Sequence, residues 1–273
     1  MHDCSQWQRF LHLLSATFPL SPKDTVLTCF IGVPTLLVVK GTTYTPAPFA
    51  RFTSYYKGIE SAEIPIPQDF KVIAGNSKAT SQGNVSTYSG IEWWCDGDAA
   101  QVKDLAQFPI KTCSKYLKVL LVFPDCVNPT TLESAYSGTQ NWVGTFKPAN
   151  RCPAGMKRMP FLRFSITYDL RKLIPEGWSG AAPLILSSGP SYSFHGDFIN
   201  GWLPEAATDM LRFKTKNTYD GPVVGPKGTD LTGPACKTPK DKEPTKGTSD
   251  YLTSVKQMTK RYVPITPPPR RGC

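Results

Sequence analysis

The segment FLRFSITY, residues 161–168, alternates strictly between apolar and polar side chains after its first residue. Leu162, Phe164, Ile166 and Tyr168 fall on one side of an extended chain, and Arg163, Ser165 and Thr167 on the other. A period of two marks a strand with one face in a core and the other toward water. Further strand candidates lie on either side: FKVIAG (70–75), VSTYSGIEWWC (85–95), YLKVLLVF (116–123) and APLILSSG (182–189). Leu27 to Val39 reads as core strands interrupted at Pro34. That run is shorter than the roughly 18 to 20 apolar residues of a membrane span, and no other run in the chain is long enough. The chain has 26 Pro and 21 Gly in 273 residues, and long loops such as 124–160 separate the strand candidates. One helix is expected in this body, Pro204 to Phe213. Proline suits the first turn, Glu205 suits the positive end of the dipole, and Ala207, Met210 and Leu211 make an apolar face. The fold expected over residues 21–213 is therefore all-β: one β-sandwich or jelly-roll-like domain with long loops and little helix.

Two flanking segments differ in composition. Residues 1–20 place Trp7, Phe10, Leu11 and Leu14 at helical spacing, compatible with a short helix. They lack a basic start, a continuous apolar stretch and a small-residue cleavage site, so they make a poor signal peptide. Residues 214–273 form a tail rich in Pro, Lys and Gly, with 12 Lys or Arg against 5 Asp or Glu. The whole chain carries a net charge of +10, so most of the excess belongs to the tail. With so little to bury, the tail cannot offset its ordering entropy and is expected to be flexible. Its charge suits non-specific contact with polyanions. Few aromatics interleave with its lysines, so base stacking is not expected.

The eight cysteines are Cys4, Cys29, Cys95, Cys113, Cys126, Cys152, Cys236 and Cys273. None forms C-x-x-C and there are only three histidines, which argues against a structural zinc site. Four cysteines lie between 95 and 152 in turn-rich sequence. Two readings remain open: disulfides closing short loops in an oxidising compartment, or buried free thiols. Asn84-Val85-Ser86 is an N-glycosylation sequon.

YSFHGDFINGW (192–202) places His195 and Asp197 on the same side of an extended backbone. In one reading the carboxylate orients the imidazole for acid–base work. In the other, the segment is a strand end or turn leading into the helix, with Phe198 and Trp202 as anchors. Asp96 and Asp98 resemble a fragment of a calcium loop but lack its register and final glutamate, so a solvated turn is the alternative. Asp125 is explained by a proline-led turn. Trp142, Tyr192, Asn200 and Trp202 are candidate contacts for sugar rings. Trp93, Trp94, Trp178, Tyr55, Tyr56, Tyr88 and Tyr136 are further aromatics of the same kind, and one of the adjacent Trp93 and Trp94 must face the core. The chain has no phosphate loop, nucleophile elbow, dinucleotide fingerprint or zinc-protease helix. Neither a metal nor a cofactor is expected.

The segments YY (55–56), FKVIAGNSKAT (70–80), WWC (93–95), VFPDC (122–126), CPAGMKRMPFLRFSITYD (152–169) and HGDFINGW (195–202) occur in an ordered series. Together they resemble an uncharacterised secreted domain of fungi and actinomycetes, catalogued as domain of unknown function nineteen-ninety-six. The resemblance covers about residues 40–213 and implies an extracellular destination. It also implies the disulfides Cys95–Cys113 and Cys126–Cys152, but it supplies no activity. Typical members carry further histidines: a His-x-His near the domain start, one in the loop after the FP-x-C motif, and a His-Pro after the CP. Here only His2 and His12 lie upstream, that loop has no histidine, and Met156–Lys157 stands where the His-Pro would be. If those histidines form a cluster, His195 is what this chain keeps of it.

The functional expectation is a secreted or surface-exposed binding or structural domain acting on polysaccharide or a cell envelope. One alternative is a polysaccharide-directed hydrolase or lyase using His195 and Asp197. Another is a virion or particle assembly component with the basic tail as its arm.

Overall fold

The computed structural model describes residues 30–99, 103–139, 148–202 and 204–213. The predicted N-terminal segment 1–20, the tail 214–273 and Trp142 lie outside the described residues, as do Cys4, Cys29, Cys236 and Cys273. The first strands are β1 (Phe30–Gly32), β2 (Leu36–Lys40), β3 (Thr43–Pro46), β4 (Phe49–Lys57), β5 (Lys71–Gly75) and β6 (Glu92–Cys95). After them come β7 (Leu117–Val122), β8 (Cys126–Val127), β9 (Ser134–Ala135), β10 (Lys157–Arg158), β11 (Phe161–Tyr168), β12 (Leu184–Leu186) and β13 (His195–Ile199). Helix α1 (Pro204–Met210) follows β13 and tightens into a 3-10 turn at Leu211–Phe213. The fold is all-β, as the alternation in 161–168 predicts.

The strands pair antiparallel in four small sheets, ordered β4-β11-β7-β6, β1-β13-β5, β12-β2-β3 and β10-β8-β9. Strand β11 spans the whole alternating segment and lies inside the largest sheet, paired with β4 from Phe161↔Lys57 to Tyr168↔Phe49 and with β7 from Arg163↔Val122 to Tyr168↔Leu117. Its inward residues Leu162, Phe164, Ile166 and Tyr168 are buried, and Leu117, Val119, Leu121 and Trp93 join them from β7 and β6. Trp93 is wholly buried while its neighbour Trp94 faces outward, as the alternation of a strand demands. Strand β4 (FARFTSYYK) mixes polar and aromatic residues without a clean period, so its pairing with β11, rather than its own pattern, makes it a strand.

The strand predicted over 85–95 is shorter in the structure. Residues Thr87–Ser89 form a 3-10 turn instead, capped by the Ser86 hydroxyl, which accepts the Tyr88 N–H at 3.3 Å. A local side-chain cap there competes successfully with extension. HGDFI (195–199) departs the other way. It is the central strand of a three-stranded sheet, flanked by β1 and β5, rather than a strand end or turn. The strand ends at Ile199, and α1 begins at Pro204.

This three-stranded sheet lies face to face with the four-stranded one, in a sandwich-like arrangement. The contact is closest at Gly196. A Cβ there would stand 2.6 Å from Leu121 Cδ2, 3.0 Å from Phe123 Cζ and 3.2 Å from Phe164 Cε2. All three neighbours are buried core side chains, so they have no free space to yield. Phe198, two residues on, is buried beside Phe123 with ring centroids 6.3 Å apart.

Among the described residues two disulfides brace the loops: Cys95–Cys113 with Cα atoms 5.0 Å apart, and Cys126–Cys152 at 5.6 Å. Both pairs are those the family resemblance implies. They close spans of 18 and 26 residues, for which loop-closure entropy gives about 3 kcal/mol each. Among the described residues, no helix is long and apolar enough to cross a membrane.

Candidate functional site

Strand β13 alternates between inward Gly196 and Phe198 and outward His195, Asp197 and Ile199. His195 and Asp197 therefore share the outer face of the small sheet. His195 Nδ1 lies 2.9 Å from the carbonyl of Ser193. A carbonyl can only accept, so Nδ1 carries the hydrogen and Nε2 is left as the ring's other polar atom. Across the sheet, Asp197 faces Gly32 on β1 and Ile73 on β5, whose side chain is 50% exposed. A Cβ at Gly32 would come within 3.4 Å of Asp197 Oδ2, so the glycine leaves room beside the carboxylate. Burial raises the Asp197 carboxyl above the usual aspartate value, and the nearby His195 partly opposes that shift. Neither of the two cavities described below is lined by His195 or Asp197.

The other predicted contacts serve different ends. Asn200 is buried, and its amide nitrogen donates to the carbonyls of Ile66 (3.2 Å) and Pro67 (2.7 Å). Its amide oxygen accepts the Trp202 N–H at 3.1 Å. Trp202 is buried, donates from Nε1 to Tyr56 Oη at 2.8 Å, and packs edge-on against that ring. Both residues hold the exit of β13 together and present little surface to a ligand. Tyr192 is half-buried and lines a hollow of about 220 Å³ with Phe108, Ile110, Ala182 and Pro190. Burial and the charge of Asp104 push its phenol up. A second hollow, about 100 Å³, lies between Thr112, Leu117, Arg171 and Trp178.

Asp96 and Asp98 are engaged by neighbours. Asp96 pairs with Lys118 at 2.7 Å, and Asp98 accepts from the Ser114 hydroxyl at 2.8 Å. Among the described residues no three His, Cys, Asp or Glu side chains gather as metal ligands. Lys157, in the segment where the resemblance places His-Pro, reaches Glu63 at 3.4 Å. Arg158 beside it is partly buried and forms an ion pair with the buried Asp125 at 3.0 Å. The Asp125 carboxylate also accepts the Ser137 N–H at 2.6 Å and the Ser137 hydroxyl at 2.8 Å. Asp125 thus does more than form a proline-led turn: it ties β8, β10 and the 136–139 turn together. Arg158 carried only a motif-position signal in the sequence, inside CPAGMKRMP.

That turn supports an exposed aromatic platform. Tyr88 is 46% exposed and its ring stacks on Tyr136, with centroids 5.8 Å apart and planes 19° apart. Tyr136 is held from behind by its hydroxyl, which donates to the Val122 carbonyl at 2.9 Å. Burial, with the charge of Asp125, pushes the Tyr136 phenol well above the ordinary tyrosine value, so it stays a donor. Tyr88 Oη donates to the Gly138 carbonyl at 3.4 Å, and Gly138 N–H donates to the Arg151 carbonyl at 2.8 Å. A Cβ at Gly138 would stand 3.7 Å from Arg151 Nη2 and 3.9 Å from Tyr88 Cε1, so the exposed guanidinium and the ring flank one turn. Both tyrosines are legible as aromatics in the sequence. Their stacking, and Arg151 beside them, are not, because the three come from separate loops.

An all-β domain with the disulfides Cys95–Cys113 and Cys126–Cys152 and a central HGDFI strand is the class these features define. The chain belongs to the family described as domain of unknown function (DUF1996), whose model matches residues 33–202. No curated protein and no solved structure matches the chain.

Proposed function

We propose that this is an exported carbohydrate-binding domain, acting on polysaccharide or a cell envelope. The observation that carries the reading is Tyr88: an exposed residue whose ring stacks on Tyr136, with the Arg151 guanidinium at the same Gly138 turn. A sugar ring has apolar faces that stack on such a surface and hydroxyls or carboxylates that a guanidinium can bind. Because Tyr136 and the Gly138 turn fix the ring beforehand, little side-chain entropy is lost on binding. Two disulfides favour an oxidising compartment, which suits export. The test is affinity for glucan, chitin, mannan and polygalacturonate fragments, measured by calorimetry. Tyr88→Ala is expected to weaken binding about tenfold or more, on the scale of one stacking contact of 1–3 kcal/mol. Binding that survives Tyr88→Ala unchanged, or no binding to any of the four, would overturn the assignment.

A second reading, a polysaccharide hydrolase or lyase, is favoured by one observation: a half-buried Asp197 whose carboxyl is raised beside His195. A half-buried carboxyl on the same strand face as an imidazole is an arrangement that acid–base chemistry can use. Release of reducing or unsaturated ends from the same polysaccharides, abolished by Asp197→Asn, would support it. The basic arm of the particle-assembly alternative, and its polyanion contact, fall on residues outside the described ones.

A further inference from the structure

We infer that Asn84 is an N-glycosylation site whose fold is arranged to carry the glycan. The inference rests on the export part of the proposed function and is independent of carbohydrate binding. Asn84 closes the 3-10 turn Gln82–Asn84 and is exposed, while the next residue, Val85, is buried and anchors the loop. The Asn84 carboxamide oxygen accepts from Thr80 N–H (3.3 Å), Thr80 Oγ1 (3.3 Å) and Ser81 Oγ (3.1 Å). A backbone N–H can only donate, so the oxygen must be the atom turned toward Thr80. The nitrogen then points away, and Nδ2 makes no hydrogen bond to any described residue. Two positions on, Ser86 is exposed and supplies the sequon hydroxyl, whose Oγ accepts the Tyr88 N–H.

This division of labour within one side chain is what a glycosylated asparagine needs. The oxygen does the structural work of the loop and the nitrogen is left for the sugar. In the transfer, Nδ2 forms a bond to the anomeric carbon of a lipid-linked oligosaccharide diphosphate. The anomeric C–O bond breaks, the diphosphate leaves with the electron pair, and the amide loses one proton. The carboxamide oxygen keeps all three of its bonds, so the loop needs no rearrangement to accept the modification. Disulfide formation and this transfer take place in the same oxidising compartment of a eukaryotic cell.

The experiment is secretion of the full chain from a eukaryotic host behind a cleavable leader, so that the outcome at Asn84 does not depend on how the chain is exported naturally. Natural export is read separately, from the medium of its own cells. The Asn84 peptide is analysed by mass spectrometry before and after peptide-N-glycosidase in heavy-oxygen water. The wild type and Ser86→Thr are expected to carry an oligosaccharide that the enzyme removes, leaving a heavy-oxygen aspartate at position 84. Ser86→Ala is expected to lose it. Enzymatic deglycosylation of the native protein is expected to leave the melting temperature unchanged, because aspartate keeps the acceptor oxygen, whereas Asn84→Ala lowers it. Secreted wild-type protein with both disulfides formed and Asn84 unmodified would overturn the inference, as would a glycan that persists in Ser86→Ala.

Discussion

Asp125 and Asp197 both sit in short motifs, FPDC and HGDF, and look alike as residues. In the folded chain they are opposites. Asp125 is buried, paired with Arg158 and bonded twice to Ser137. Asp197 is only half-buried, on an open sheet face, and no described residue donates a hydrogen bond to it. The first carboxylate is consumed by architecture and the second is left over. The lesson is that a conspicuous acidic motif marks a site only when its charge is not already spent.

Removing the paired charge sharpens this contrast most. Asp125→Ala is expected to cost about 3–5 kcal/mol in chemical denaturation, because it strands the Arg158 guanidinium in a partly buried place. A loss under about 1 kcal/mol would mean the pair is solvated and the contrast is false. Next comes the inner face of the HGDF strand. Gly196→Ala is expected to cost about 1–3 kcal/mol, since the new methyl meets Leu121, Phe123 and Phe164 with no room to move. An unchanged melting temperature would show that the two sheets are not in close contact there.

The smallest effect belongs to Asp197 itself, and its sign is distinctive. Burial raises its carboxyl in the folded state, so the folded protein keeps that proton longer than the unfolded chain does. Stability from this group is therefore lost as pH rises from the ordinary aspartate range through the raised folded value. Asp197→Asn is expected to remove that slope and to leave the protein slightly more stable at neutral pH. Thermal melts across that window check it. A variant that is less stable at neutral pH would reveal a partner for the carboxylate and make the two aspartates alike. His195→Ala should change stability little, because its mapped bond is a single one to the Ser193 carbonyl.

Much of the fold was legible beforehand. The period-two segment 161–168 became β11 residue for residue, and LKVLLV and KVIAG became β7 and β5. The helix starting at Pro204 was legible from its proline and acidic first turn, though it relaxes to a 3-10 turn at 211. The disulfide partners followed from family resemblance rather than from spacing. Strand β4 was hidden because its residues answer to β11 and not to one another. The character of 192–202 was only half visible: the alternation of HGDFI showed, but the short GDFING sequence read equally well as a turn.

Local pattern therefore determined what segments such as 161–168 and 204–210 would become, because alternation, caps and prolines act within a few residues of one another. Which polar groups remained available was decided only in three dimensions. The partners of Asp125 stand 12 and 33 positions away, at Ser137 and Arg158. The Tyr88 ring stacks on Tyr136, 48 positions on, and shares the Gly138 turn with Arg151. Gly196 is required by side chains of β7 and β11 across the sandwich. A hydrogen bond or a packing contact needs its partner within a few ångströms in space, and a linear sequence carries no record of that distance.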